Sequence, residues 1–154
     1  MGSRRAGLGV RKMGPQELES VVDLWWQSHE ASTSWLRPDQ KFSADESKSF
    51  FRTVVAEACD LWVAEADGEL LGMLALDGDQ LDRLYVSPPA QGRGVGSALL
   101  EQAKALSADG LRLVTLQRNV RACRFYERRG FVAYEFGRSA LPEDEPDVWY
   151  RWSG

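Results

Sequence analysis

The sequence predicts a mixed α/β (α+β) fold built on a central sheet that is mostly antiparallel. The first observation is a meander of three short apolar segments joined by tight turns: residues 61–66, 70–76 and 81–86, with Asp67-Gly68 and Asp77-Gly78 between them. The second is a helical pattern over residues 95–106, which lies between the strand at 81–86 and another at 111–117. A helix that crosses over between two neighbouring strands leaves them parallel, so we expect one parallel pair.

The N-terminal third is expected to form one strand and two helices. Residues 9–13 are predicted to be a strand, and Pro15 begins a helix because proline suits the first helical turn. A break over residues 31–41 ends this helix, and Ser43 with Glu46 forms the capping-box pattern of a second one. The expected buried faces are Leu18, Val21, Val22, Trp25 and His29 in the first helix, and Phe50, Phe51, Val54, Val55 and Ala58 in the second.

The C-terminal third is expected to form the last helix and a hairpin. Asn119 suits the N-cap of a helix that runs to Arg129, and Gly130 suits its end. The closing hairpin comprises residues 131–137 and 148–152, with an acidic loop at 142–146. The predicted order of elements is therefore β-α-α-β-β-β-α-β-α-β-β.

A glycine-rich segment, Gln91-Gly92-Arg93-Gly94-Val95-Gly96-Ser97, stands where the helix at 95–106 begins. Free N–H groups and the helix dipole favour anions at such a point, and glycine lets the backbone approach the ligand closely. Arg93 can add a positive charge. The segment lacks the lysine of a P-loop, and Ser97 stands where a dinucleotide fingerprint needs its third glycine. Taken alone, it also fits a glycine turn without a ligand.

Two motifs stand in order along the second half of the chain. Gln91, Gly94 and Gly96 match the loop pattern Q/R-x-x-G-x-G/A, and LYVSP precedes them. Residues 119–131 match the pattern N-x-x-A-x-x-F-Y-E-x-x-G-F. Together they resemble the pyrophosphate loop and the second motif of the GNAT-type N-acetyltransferases. The resemblance runs from about residue 60 to the C-terminus and is thin over the first fifty or so residues, where this family varies with its acceptor.

The resemblance implies the GNAT fold, in which the fourth and fifth strands splay apart and the pantetheine arm of acetyl-CoA lies between them like an added strand. It implies that backbone groups of the fourth strand bond this arm and that the glycine segment holds the pyrophosphate. The cofactor-binding residues that it implies are Leu84, Tyr85, Val86, Gln91, Gly92, Arg93, Gly94, Val95, Gly96, Ser97, Asn119, Ala122 and Tyr126.

Tyr126 matches the family tyrosine near the thioester sulfur, which implies that it is the general acid that protonates the departing thiolate. The pKa of a thiol is about 8.5 and that of a phenol about 10, so the transfer is only slightly uphill. The alternative is a core aromatic, because Ala122, Phe125 and Tyr126 also satisfy helical packing.

The attacking amine must be neutral, so a base, or a water chain leading to one, is expected. Asp82 is the candidate for the catalytic base because alternate residues of a strand point to the same face, which places Asp82 with Leu84 and Val86. The alternative is a carboxylate that faces solvent. His29 is the only histidine and has a suitable pKa, but on an apolar stripe it also fits a hydrogen-bonded core residue. Glu127 is expected to pair with a neighbouring arginine.

Acceptor specificity is expected in two loops, at residues 29–42 and 139–147. The expected acceptor-binding residues are His29, Trp35 and Asp82, with Trp35 and Trp26 as an apolar or cation–π wall. The acidic run in the second loop either draws a cation or is solvated. No cluster of His, Cys and acidic residues has the spacing of a metal site, so no metal is expected.

Composition narrows the class of protein. The 154 residues suit one domain over 1–154, with a flexible arm at 1–7. A net charge of −4 and a pI near 5.1 argue against nucleic acid as a partner. No apolar run approaches a membrane span, and no secretory signal is visible. Two cysteines, Cys59 and Cys123, give no disulfide framework, so we expect a cytoplasmic protein.

The main functional expectation is an enzyme, an acetyl-CoA-dependent N-acetyltransferase that acts on a small-molecule amine by direct attack. The short, aromatic-rich first loop favours a small acceptor because a peptide needs an open groove. One alternative is acetylation of a protein N-terminus or lysine side chain, and the other is a non-catalytic acyl-CoA-binding module. The protein is expected to be a monomer or a homodimer.

Overall fold

The computed structural model describes residues 7–154, so the flexible arm expected at 1–7 lies outside the described residues except for Gly7. The strands are β1 (Gly9–Lys12), β2 (Asp60–Ala66), β3 (Glu69–Asp77), β4 (Gln80–Val86), β5 (Leu111–Leu116), β6 (Val132–Arg138) and β7 (Pro146–Trp152). They form a seven-stranded sheet in the order β1-β2-β3-β4-β5-β7-β6.

The helices stand between these strands in the predicted order. They are α1 (Leu18–Ser32), α2 (Ala44–Phe50) followed by a π-helical turn (Phe51–Val55) and α3 (Ala56–Ala58), α4 (Val95–Leu106) and α5 (Val120–Glu127). The capping box at the start of α2 is confirmed: Glu46 N donates to Ser43 Oγ at 3.1 Å, and Ser43 N donates to Glu46 Oε1 at 3.0 Å.

The sheet is mixed and mostly antiparallel, as predicted. Every neighbouring pair is antiparallel except β4 and β5, which are parallel. Within residues 7–154, the register of this parallel pair comprises a single couple, Gln80 with Arg112. The two strands therefore part after their first residues, and the β5-facing edge of β4 is left open.

Two hydrophobic cores lie on opposite faces of the sheet because side chains alternate along its strands. On β3, Leu74 packs in the core on the α4 side, whereas Met73 packs in the core on the α1 side. On β4, Leu84 and Val86 contact the first core and Tyr85 contacts the second. The alternation of β4 thus directs the Tyr85 side chain toward α1.

The buried faces of the first two helices agree only in part with those predicted. Phe51 and Val55 are buried, but Phe50 is 51% exposed and Val54 is 46% exposed. The prediction placed two adjacent rows of side chains on the core. Only the row with Phe51 and Val55, in the π-helical turn, packs there. In α1, Val21, Val22 and Trp25 are buried as predicted, whereas His29 is only partly buried and its neighbour Ser28 is buried instead.

Candidate active site

A cleft of about 570 Å³ lies where β4 and β5 part. Its walls come from the end of α1, from β4 and β5, from the glycine segment and from the starts of α4 and α5. The predicted site residues that line it are Asp82, Leu84, Tyr85, Val86, Gln91, Gly92, Gly94, Gly96, Ser97, Asn119, Ala122 and Tyr126. The predicted residues outside its lining are His29, Trp35, Arg93 and Val95.

The glycine segment turns the chain so that α4 begins at the rim of the cleft. Gly92 has a φ of 79° and Gly94 a φ of 84°, values that L-residues rarely adopt. Gly94 is the N-cap of α4, and the Val95 side chain is buried in the core beneath it. The first N–H groups of the helix are therefore held at the cleft, which suits an anionic ligand.

Arg129 braces the start of α4 from the end of α5. Its Nη2 donates to Ser97 Oγ at 2.7 Å and its Nη1 donates to the Phe125 carbonyl at 3.0 Å. The guanidinium also lies 3.9 Å above the Phe125 ring. Arg129 lines the cleft and places a positive charge next to the helix N-terminus.

Arg121 makes a similar link to the glycine segment. Its Nη1 donates to Gln91 Oε1 at 2.8 Å, and Gln91 Nε2 donates to the Val86 carbonyl at 3.1 Å. Neither Arg121 nor Arg129 was predicted from the sequence. The sequence signal that could have identified them is their spacing. Arg121 stands four residues before Phe125 and Arg129 four residues after it, which places the three on one face of the predicted helix.

Tyr126 is fixed by the way α5 ends. Phe131 N donates to the Tyr126 carbonyl at 3.1 Å and Gly130 N donates to the Glu127 carbonyl at 3.3 Å, the two bonds of a Schellman motif. Gly130 has a φ of 94°, as its predicted position requires. At the other end of the helix, Asn119 Oδ1 accepts from Ala122 N at 3.2 Å, which confirms the predicted N-cap.

The Tyr126 ring is only 7% exposed and packs edge-on against Phe125 and Phe131, with ring centres 5.1 and 5.4 Å away. Burial raises the pKa of Tyr126 well above that of an ordinary phenol, and the nearby Tyr85 raises it further. The Tyr126 hydroxyl is therefore protonated at neutral pH and available as a hydrogen-bond donor.

Asp82 is the extra residue of a β-bulge. The partners of Leu81 and Arg83 on β3 are adjacent residues, so Asp82 has no partner in that register. The bulge interrupts the alternation of β4 between Leu81 and Arg83, and the predicted parity between Asp82 and Leu84 stays a prediction. Asp82 lines the cleft in an ion pair with Arg83, whose guanidinium lies 5.3 Å from the Trp25 ring on the α1 side.

The other two base candidates lie outside the lining of the cleft. His29 stacks on Trp25 at 5.4 Å, and its Nδ1 lies 3.4 Å from the Tyr85 hydroxyl. This geometry fits the alternative derived from the sequence, a hydrogen-bonded core histidine. Glu127 was expected to pair with an arginine, but its Oε2 accepts a hydrogen bond from the Tyr150 hydroxyl at 2.6 Å.

His29 is expected to make the protein less stable in mild acid. Burial lowers its pKa to about 4, and the charges of Arg83 and Lys41 contribute. Between about pH 6.5 and pH 4 the unfolded histidine binds a proton that the folded one does not, so stability falls as pH falls. The free energy of unfolding should lose up to about 3 kcal/mol across this window. Urea unfolding of wild type and His29→Gln from pH 7 to pH 4 measures this component, and parallel curves would contradict it.

One face of the Trp35 ring is already occupied by a side chain of the same protein. Arg118 lies 4.2 Å from the centre of its ring, and Trp35 Nε1 donates to the Ser32 carbonyl at 3.2 Å. The cation–π partner of Trp35 thus comes from the chain itself.

The acidic run after β6 is buried in part, so it is not simply a solvated loop. Glu145 is 7% exposed and Asp147 is 8% exposed. Gln40 Nε2 donates to Glu145 Oε2 and to the Glu143 carbonyl, both at 2.7 Å. These bonds join the two loops that were expected to determine the acceptor. Burial raises the pKa of the Glu143 carboxyl, and the charges of Glu145 and Asp147 add to the effect.

Among residues 7–154, no group of three or more His, Cys, Asp or Glu side chains is arranged to hold a metal ion. In the same part of the chain, no helix is both long and apolar enough to cross a membrane.

Known proteins resemble this chain in sequence and in fold. The family model described as acetyltransferase (GNAT) domain matches residues 57–133. Peptidyl-lysine N-acetyltransferase YjaB of Salmonella typhimurium is 32% identical over 137 residues, which cover 88% of this chain and 90% of the relative. Peptidyl-lysine N-acetyltransferase YiaC of Escherichia coli is 31% identical over 124 residues, which cover 79% and 82%. The solution structure of apo YjaB from Escherichia coli has a TM-score of 0.79 and 26% identity, and the match covers 96% of this chain and 98% of that one.

Proposed function

The chain belongs to the GNAT family of acetyltransferases, and on this premise we propose that it transfers the acetyl group of acetyl-CoA to the side-chain amine of lysine in peptides or proteins. The observation that supports acetyl transfer most directly is the open gap between the parallel strands β4 and β5, with the start of α4 at its rim. The names of the relatives from Salmonella typhimurium and Escherichia coli support lysine as the acceptor. The small amine favoured by the short first loop becomes the alternative acceptor.

The residues of the cleft fit acetyl-CoA. Two glycines with positive φ and the first N–H groups of α4 suit a pyrophosphate, and Arg129 adds charge beside them. The unpaired edge of β4 from Leu84 to Val86 can bond an extended arm. When bound, acetyl-CoA supplies an activated acetyl thioester.

Tyr126 is proposed to assist the departure of the thiolate. In the reaction the neutral amine nitrogen forms the new bond to the acetyl carbon, the carbon–sulfur bond breaks, and the sulfur takes up a proton. The raised pKa of the buried Tyr126 makes proton transfer to the thiolate more uphill than it is for an ordinary phenol, so the hydroxyl acts first as a hydrogen-bond donor and yields its proton only as negative charge develops on sulfur. The proton lost by the attacking amine goes to solvent, and a proton from solvent restores the Tyr126 hydroxyl.

A matched pair of peptides tests the acceptor. One peptide has blocked termini and a single lysine, and the control replaces that lysine with norleucine. With acetyl-CoA we expect saturable thiol release and an acetylated product from the lysine peptide alone. Turnover only with free amino acids or polyamines would overturn the lysine assignment, and turnover only with a free peptide N-terminus would do the same. No turnover on any amine despite tight binding of acetyl-CoA would overturn the enzyme mechanism and favour a binding module.

A further inference from the structure

The hydroxyl of Tyr85 is a polar group on the α1 side of the cleft for which the reaction above has no use. Tyr85 lines the cleft, and its side chain packs in the α1-side core while its neighbours Leu84 and Val86 pack on the other face. Ser28 and Ser32 of α1 line the same part of the cleft. Tyr126 enters from α5, on the opposite side of the gap. The two tyrosines thus line the cleft from its two sides.

His29 holds the Tyr85 hydroxyl from the side of α1. Its Nδ1 lies 3.4 Å from the hydroxyl oxygen, and the two rings meet edge to face with centres 6.1 Å apart. The imidazole is itself fixed, because it stacks on the buried Trp25 ring at an angle of 23°. Arg83 lies over the same Trp25 ring, so a positive charge opposes protonation of His29. The imidazole is therefore neutral at working pH.

A neutral imidazole has one donor and one acceptor nitrogen. If Nδ1 is the acceptor, the single proton of Tyr85 is committed to His29, and beside the Trp25 indole N–H the Tyr85 oxygen has a lone pair left for one further donor. Burial raises the pKa of Tyr85; the charges of Glu143 and Asp82 reinforce this, whereas the charge of Arg83 and a hydrogen bond with the Trp25 indole oppose it. The hydroxyl therefore stays protonated, and Tyr85 acts by hydrogen bonding rather than as a base.

We propose that Tyr85 receives the acceptor amine, with its hydroxyl oxygen accepting a hydrogen bond from the amine N–H while Nδ1 of His29 accepts the Tyr85 proton. This contact turns the nitrogen lone pair toward the Tyr126 side of the gap. This contact involves hydrogen bonds only and no proton transfer, so it needs no further reactant. Tyr85 touches the substrate, whereas His29 is a positioning residue that acts through Tyr85. The inference rests on the proposed acetyl transfer and adds the group that orients its acceptor.

The tautomer of His29 is the first test, and it needs no substrate. The chain contains a single histidine, so tag-free protein labelled with ¹⁵N-histidine gives the spectrum of one ring. We expect Nε2 to carry the proton and Nδ1 to show an accepted hydrogen bond that is lost in Tyr85→Phe. Tyr134→Phe removes the same atom from the partly exposed strand β6 and should leave the ring signals unchanged. A protonated Nδ1, or a Tyr85→Phe spectrum identical to wild type, would overturn the proposal.

Kinetics form the second test, run with whichever amine the enzyme acetylates. Loss of one hydrogen bond should raise KM for the amine by about fivefold to tenfold in Tyr85→Phe, with the affinity for CoA unchanged. His29→Phe should have a similar effect, and the double variant should be no worse than either single one because the two residues act through one contact. An unchanged KM for the amine in Tyr85→Phe, or additive losses in the double variant, would refute the assignment. A wrong acceptor class alters only the choice of amine, so the two failures are distinguishable.

Discussion

Replacing Tyr126 with phenylalanine is expected to lower kcat by about tenfold to a thousandfold, the range of general acid catalysis, and to leave the affinity for CoA unchanged. The hydroxyl is the only atom removed. The ring stays packed between Phe125 and Phe131, and the Schellman bonds at the end of α5 involve only the backbone. The departing thiolate would lose its donor, whereas the contacts that hold the nucleotide would remain.

The measurement is kcat from thiol release together with the Kd for CoA from calorimetry. Tyr134→Phe is the matched control, since it removes a tyrosine hydroxyl from β6 outside the lining of the cleft. Wild-type turnover in Tyr126→Phe would exclude the hydroxyl from the mechanism. A parallel loss of CoA affinity and of thermal stability would instead assign Tyr126 to the core, the alternative that its helical spacing also allowed.

The features that local chemistry determines could be read from the sequence. The capping box at Ser43, the N-cap at Asn119 and the glycine at Gly130 each depend on residues a few positions apart, and each is present. The order of the elements and the parallel pair followed from the same local patterns. The family resemblance is confirmed by the model match over residues 57–133, which spans both motifs.

The features that were missed depend on contacts distant in sequence. The bulge at Asp82 belongs to the pairing of β4 with β3, and no pattern within residues 81–86 reveals it. The partial burial of the acidic run could not be predicted because its partner Gln40 stands about a hundred residues earlier in the chain. The links from Arg121 and Arg129 to the glycine segment required the packing of α5 beside α4. The acceptor side of the site was therefore the least predictable part.

Replacing Gly94 with tryptophan is expected to weaken CoA binding by about a hundredfold or more. Gly94 is the N-cap of α4 and has a φ of 84°, so the substitution adds an indole at the point where the helix presents its free N–H groups. Loss of two hydrogen bonds to a charged group, at roughly 1.5–3 kcal/mol each, corresponds to at least this factor. The affinity for CoA is measured by calorimetry on the folded variant.

The control must separate the loss of the anion site from the cost of a side chain at positive φ, which is about 1–2 kcal/mol. Gly68 serves this purpose because its φ is 78°, an added Cβ there meets no atom within 4 Å, and it lies in the turn between β2 and β3. Gly68→Trp should lose similar stability and bind CoA like wild type. If Gly94→Trp remains folded and binds CoA normally, the start of α4 is not the pyrophosphate site. If both variants lose CoA equally, the defect lies in backbone strain rather than in the anion site.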